Sequence, residues 1–244
     1  MKLVATIACR NNSNRLYGKP LQILKKKNVL HYIVDALKKR PEISDIVIAI
    51  SETSGNEIYK DEAERLGVKY VFGDDKDVLG RLIKACELAG GDTVFRITSE
   101  SPFPYFERLE EAVQSHLENK ADYTSHSKLP DGSMFELVNL SALKKSHDDG
   151  EDRHRSELCT LYMNENKDIF KFNILDVPEN HQRPTYRLTI DFPEDLILCR
   201  KIINHFGEDN YIKYDGLLEY LDSRPDERKI VEDIIGEDYI KPYH

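Results

Sequence analysis

The chain predicts an α/β fold, a Rossmann-like and mostly parallel sheet with helices on both faces. Short β-branched runs alternate with longer helical patterns through the first half, the signature of βαβ units. Each helical pattern carries one apolar face, and a strand followed by a helix returns after residue 186. At 244 residues the whole chain suits one domain, which is long enough to bury a substantial core.

Taken in order, residues 3–8 read as the first strand, and Val29, Leu30, Ile33, Val34 and Leu37 recur at helical spacing behind it. Strands follow at 46–51 and 70–72, then a helix marked by Leu79, Leu82, Ile83 and Cys86, then a strand at 93–98. Residues 122–176 are less regular, with short strands and a helix near 157–164, and they form the region expected to carry substrate-specific structure. A strand is predicted at 187–190. A helix then starts at Pro193, where proline in the first turn and the acids Glu194 and Asp195 suit a helix N-terminus.

Composition narrows the function classes. The net charge of -9 argues against a general nucleic-acid binder, whose phosphate-facing surface needs a basic excess. Cys9, Cys86, Cys159 and Cys199 lie far apart with no CxxC pair, so they read as reduced core residues rather than zinc ligands or a disulfide framework. The apolar run at the N-terminus is too short for a membrane span and lacks a small-residue cleavage site, so a cytoplasmic protein without membrane attachment is expected.

In open α/β sheets ligands bind beyond the carboxyl ends of the strands. The loop after the first strand, from Arg10 through Ser13, Arg15, Tyr17, Gly18 and Lys19 to Leu21, holds cations among small polar residues. Such a loop lets backbone N–H groups and cations converge on a polyphosphate; the plainer reading is a solvated basic loop. Asp77-Val78-Leu79-Gly80-Arg81 opens a helix with an acid and an arginine suited to ribose or base, with Gly80 allowing close approach. The plainer reading makes Asp77 an N-cap and Arg81 an exposed helix residue.

The basic loop resembles the A-R-x-x-S-x-R-L-P-G-K-x-L signature of sugar-activating cytidylyltransferases, with Cys9 for alanine and Tyr17 for proline. That group includes CMP-Kdo synthetases, acylneuraminate cytidylyltransferases and spore-coat polysaccharide biosynthesis cytidylyltransferase-like proteins, the last being most similar in pattern. Residues 77–81 are similar to their D-V-L-G-R, and Arg96-Ile97-Thr98-Ser99-Glu100-Ser101-Pro102 to their R-I-T-G-D-C-P. Asp191-Phe192-Pro193-Glu194-Asp195-Leu196 is similar to D-T-P-E-D-L. Pro130-Asp131-Gly132-Ser133-Met134-Phe135-Glu136 and Glu157-Leu158-Cys159-Thr160-Leu161-Tyr162 resemble P-D-G-L-D-V-E and E-H-V-T-P-Y with changes that point to an altered acceptor.

The resemblance spans about residues 2–222 and implies a nucleotide-diphospho-sugar transferase type of fold with a small acceptor or dimerisation insertion. It implies transfer of CMP from CTP to a small acidic acceptor, with Arg10, Arg15 and Lys19 as catalytic cations. Ala8, Cys9, Arg10, Ser13, Gly18, Lys19, Asp77, Gly80, Arg81 and Thr98 would hold the nucleotide. Glu100, in the place of the family's aspartate, and Asp191 would hold Mg²⁺, with Mn²⁺ as a substitute. Asp131, Glu136, Arg153, Arg155 and Glu157 are candidate acceptor contacts, and a homodimer is implied. Two rivals stay open at this point, a nucleotide-sugar glycosyltransferase and a catalytically dead nucleotide-binding regulator.

Overall fold

The computed structural model describes residues 1–208 and 211–232. Its strands are β1 (Leu3–Cys9), β2 (Asp45–Ser51), β3 (Lys69–Gly73), β4 (Thr93–Arg96), β5 (Tyr123–His126), β6 (Glu136–Asn139) and β7 (Phe172–Leu175). They form one seven-stranded sheet in the order β3-β2-β1-β4-β6-β5-β7. The β1–β2, β2–β3, β1–β4 and β5–β7 pairs are parallel, while β6 runs antiparallel to β4 and β5.

The helices are α1 (Val29–Leu37), α2 (Ile58–Leu66), α3 (Val78–Leu88), α4 (Leu109–Glu118), α5 (Leu140–Asp149), α6 (Leu161–Glu165), α7 (Pro193–Phe206), α8 (Tyr214–Asp222) and α9 (Pro225–Glu232). Because side chains alternate across a strand, Leu3, Ala5 and Ile7 of β1 face a core shared with α1, α2, α4, α7 and α8. Val4 faces a second core shared with α3, α5 and α6. Helices therefore cover both faces, as the sequence predicts. All four cysteines are free and buried, and burial pushes their thiols up, Cys86 to about 12.

The expected strand at 187–190 is not a member of the sheet. Only an isolated bridge joins Arg187 to Asp131. The segment does bury Leu188 and Ile190, but its amides go to loops, Leu188 N to Asp131 O at 2.8 Å and Ile190 N to Glu100 O at 2.9 Å. Alternating apolar residues report which side chains are buried, and that pattern does not require a neighbouring strand. The helix expected at 157–164 is limited to Leu161–Glu165; before it, Leu161 N bonds the Leu158 carbonyl at 2.8 Å in a tight turn, and the Glu157 carbonyl accepts from Arg96 Nη2 at 2.9 Å. Residues 122–176 supply β5, β6 and β7 and so build the far half of the sheet.

His126, at the end of β5, is 2% exposed, and neither ring nitrogen has a hydrogen-bond partner among the described residues. The rings of Tyr105 and Phe135 lie 5.4 and 5.2 Å from it. Burial lowers its pKa from 6.5 to about 4, with the nearby Arg108 adding to the shift. The folded chain thus refuses a proton that the unfolded chain accepts. Stability is whole above pH 6.5 and falls as the pH drops toward 4, by about 3 kcal/mol in total. Urea midpoints measured across that window should show a pH slope that His126→Phe, which keeps the ring contacts, flattens. An equal slope in the variant would assign the effect to other groups.

Candidate active site

The phosphate-type loop leaves β1 at Cys9, with Ala8 half-buried at the strand's end. It folds back on itself because Asn11 N donates to Asn56 Oδ1 at 2.8 Å and Gly18 N donates to Asn11 O at 2.9 Å. Gly18 adopts φ 59°, a left-handed conformation suited to glycine, and enters a single 3-10 turn at Lys19–Leu21 with Pro20 inside it. Tyr59 OH donates to the Arg10 carbonyl at 3.2 Å, and Ser13 Oγ accepts from Leu16 N at 3.4 Å. Tyr17, where the family signature has proline, is exposed. The folded loop directs Lys19 and Arg15 toward one acid, Asp191.

Asp191 is buried just before α7 and carries cations on both oxygens. Lys19 Nζ pairs with Oδ1, Arg15 Nη2 reaches the same oxygen at 3.1 Å, and Arg187 Nη2 donates to Oδ2 at 3.0 Å. Asp195 holds the backbone in place by accepting from Asp191 N at 2.8 Å and Phe192 N at 2.9 Å. Glu100 is brought alongside by the Ile190–Glu100 backbone bond. Its carboxyl pKa is raised, chiefly by burial, with Lys19 opposing and Asp191 adding to the rise. Two carboxylates close enough to repel each other, both hard oxygen donors, suit an oxyphilic divalent cation that takes its remaining ligands from phosphate and water. No cluster of three or more His, Cys, Asp or Glu residues that could hold a metal occurs among the described residues, so these two acids could supply only part of such a site.

Thr98 closes the turn after β4, its Oγ1 lying 2.6 Å from Ser101 Oγ. Asp77 is the N-cap of α3, accepting from Gly80 N at 2.7 Å, and its other oxygen lies 2.7 Å from His147 Nε2. Gly80 is explained by the cap, since a Cβ there would sit 2.4 Å from Asp77 Oδ2. Arg81 is not the exposed helix residue of the plainer reading. It is 2% exposed and donates to the carbonyls of Cys9 at 3.3 Å and Ala49 at 3.2 Å, pinning the ends of β1 and β2. Asp77, Gly80 and Arg81 nevertheless line an open groove of about 510 Å³ with Asp74, Lys84 and His147.

The candidate acceptor residues divide into two sets. Asp131 Oδ2 accepts from Arg187 Nη1 at 2.7 Å, and Glu157 Oε2 accepts from Arg10 Nη2 at 2.8 Å, so both join the residues already described. Glu136 pairs with Arg96 and accepts from Tyr123 OH at 2.9 Å. Arg153 and Arg155 instead pair within their own segment. Arg153 forks onto Glu165 at 2.6 and 2.7 Å, and Arg155 reaches Asp152 at 3.4 Å.

Sequence reasoning gave Arg187 no role beyond the start of a strand and read Asp195 only as an acid of the α7 N-terminus. The signal for Arg187 was the polar series Arg187, Thr189, Asp191 at spacing two, which places all three on one side of an extended segment.

Residues 4–223 match a family model described as cytidylyltransferase. The chain belongs to the cytidylyltransferase family. It is 30% identical to an uncharacterized protein of Methanocaldococcus jannaschii over 98% of each chain. It is 28% identical to the spore coat polysaccharide biosynthesis protein SpsF of Bacillus subtilis, over 90% of this chain and 94% of that one. The fold matches a cytidylyltransferase from Leptospira borgpetersenii with a TM-score of 0.84 at 24% identity, covering 93% of this chain and 97% of that one. Cytidylyltransferases are CTP-using nucleotidyltransferases. Among the described residues no helix is long and apolar enough to cross a membrane.

Proposed function

We propose that this cytidylyltransferase transfers CMP from CTP to a small acidic acceptor, a sugar acid, a polyol or sugar phosphate, or a phosphonate, and releases pyrophosphate. The observation that carries the reading is the convergence of Lys19 and Arg15 on Asp191, with Glu100 alongside. In this reading Arg10, Arg15 and Lys19 bind the β- and γ-phosphates and offset the charge that builds on the leaving pyrophosphate. Cysteine and alanine at the end of β1, together with Ser13, Gly18 and Thr98, border the nucleotide, and the groove beside Asp77, Gly80 and Arg81 takes ribose or base.

Asp191 and Glu100 would hold Mg²⁺, which would supply polarisation of the α-phosphate and neutralise part of the triphosphate charge. Lys19 and Arg15 then pass from Asp191 Oδ1 to phosphate oxygens. The acceptor oxygen attacks the α-phosphorus in line, and positioning supplies most of the acceleration. Asp131, Glu136 and Glu157 border the acceptor. Supply of an activated sugar for surface polysaccharide or glycoconjugate synthesis, a homodimer and a cytoplasmic location complete the proposal, the first supported by the named role of the B. subtilis relative.

Pyrophosphate release, followed with each of the four NTPs, Mg²⁺ and a panel of such acceptors, tests the function. CTP should be the preferred donor, EDTA should abolish release and Mg²⁺ should restore it. Tight CTP binding with no release for any acceptor would favour a nucleotide-binding regulator. Glu100 also has its own test. Glutamate reaches further than aspartate, and Mn²⁺ accepts looser geometry than Mg²⁺, so Glu100→Asp should shift the ratio of Mg²⁺ to Mn²⁺ activity. Glu100→Ala should nearly eliminate turnover, and wild-type rates with both metals would make Glu100 a bystander.

A further inference from the structure

Arg187 is 4% exposed, and its guanidinium is spread over three aspartates, two just after it in the chain and one, Asp131, 56 residues before it. Nε donates to Asp195 Oδ1 at 2.7 Å, Nη1 to Asp131 Oδ2 at 2.7 Å, and Nη2 to Asp191 Oδ2 and Asp195 Oδ2, each at 3.0 Å. A lysine, with one nitrogen at the end of a flexible stem, has no means of reproducing this fork. A buried ion cluster is weak evidence of a stabilising role, since its desolvation cost offsets much of its attraction. The geometry offers a more specific role.

The contacts at Asp131 form a rigid junction. Asp131 N donates to Tyr186 O at 2.9 Å, Leu188 N donates to Asp131 O at 2.8 Å, and the Asp131 carboxylate meets Arg187 between them. Gly132, at φ 84°, brings the turn so close that a Cβ would stand 2.5 Å from Thr189 N. The loop that carries Asp131 and Ser133 and leads into β6 at Glu136 is therefore tied directly to residues 186–189. At the other end of that segment, Arg187 and Asp195 fix the carboxylate and the backbone of Asp191.

We propose that Arg187 is a positioning residue that couples the 130–136 loop to Asp191, so that one guanidinium sets the acceptor side and the nucleotide side of the site together. The inference rests on the proposed role of Asp191 as a metal ligand. Arg187 touches neither nucleotide nor acceptor in this account; it orients the group that does.

The test needs no acceptor. Free Mn²⁺ is followed by its electron paramagnetic resonance signal while protein saturated with CTP is titrated, and CTP binding is measured separately in EDTA. Arg187→Lys should leave CTP affinity in EDTA nearly unchanged and weaken Mn²⁺ binding to the CTP complex about 10- to 100-fold, as removing the partner of a metal-bound carboxylate does. Asp131→Ala, which cuts only the loop's end of the link, should weaken Mn²⁺ about threefold. The double variant should bind Mn²⁺ as Arg187→Lys does, because Asp131 acts through Arg187. Additive losses, or a lowered melting temperature with unchanged Mn²⁺ affinity, would overturn the proposal. If Arg187→Lys fails to fold, unchanged Mn²⁺ affinity in Asp131→Ala overturns it alone. Asp191→Asn separates the two readings, since full Mn²⁺ binding there removes Asp191 as a ligand, whereas its loss alongside an unaffected Arg187→Lys removes only the coupling.

Discussion

Asp191→Ala is expected to reduce metal-dependent pyrophosphate release by about 10²- to 10³-fold at saturating CTP, the loss that corresponds to several kcal/mol of charge stabilisation at the α-phosphate. Asp191 is buried and is shared by Lys19, Arg15 and Arg187, so a neutral replacement removes the proposed metal donor and also the fixed acid that gathers the two cations of the basic loop. The fold should survive, because Arg187 keeps Asp195 and Asp131. Asp191→Asn, close in shape but uncharged, should lose nearly as much activity with a near-normal melting temperature. Turnover by either variant at the wild-type rate would place the metal on another group.

Lys19→Ala and Arg15→Ala should each weaken CTP binding or turnover at least about tenfold, since losing a charge-assisted phosphate contact costs about 1.5–3 kcal/mol. Lys19 should be the more costly loss. Its side chain is 11% exposed against 40% for Arg15, so its charge is less screened by water. In the structure both cations rest on Asp191 Oδ1, and the triphosphate must draw them away. The net gain from each is therefore smaller without a divalent ion to replace them on Asp191, and the Lys19→Ala penalty measured in EDTA should be smaller than that measured with Mg²⁺. Calorimetric titration of CTP under both conditions checks this, and unchanged affinity in both variants would remove the basic loop from the nucleotide site.

Much of this architecture is written in local patterns. The apolar spacing of α1 and α3, the β-branched runs of β1 and β2, and Pro193 with Glu194 and Asp195 at the start of α7 each depend on residues within a few positions of one another. Local rules of helix and strand formation act over that range, so these elements were legible. The same holds for Asp77 as a helix cap, which its spacing from Gly80 allowed. The family motifs were legible too, because each is a short contiguous run.

What the tertiary structure decided lies between residues far apart in the chain. Asp191 meets Lys19 across 172 positions and Arg15 across 176, and Glu157 meets Arg10 across 147. No periodicity encodes such pairs, because they join loops that only the folding of the whole sheet sets side by side. The sequence by itself determined the sheet-and-helix class, the basic loop and the two acids that flank it. It read residues 187–190 as a strand, where the structure bonds them to loops, and it did not reveal that Arg81 would be buried beneath β1 and β2. It left open also that Arg153 and Arg155 would pair within their own segment, and that Arg187 would gather three aspartates. Those outcomes depend on which buried polar group finds a partner once the core has closed, and hydrogen-bond satisfaction inside a packed fold is a property of the assembled chain.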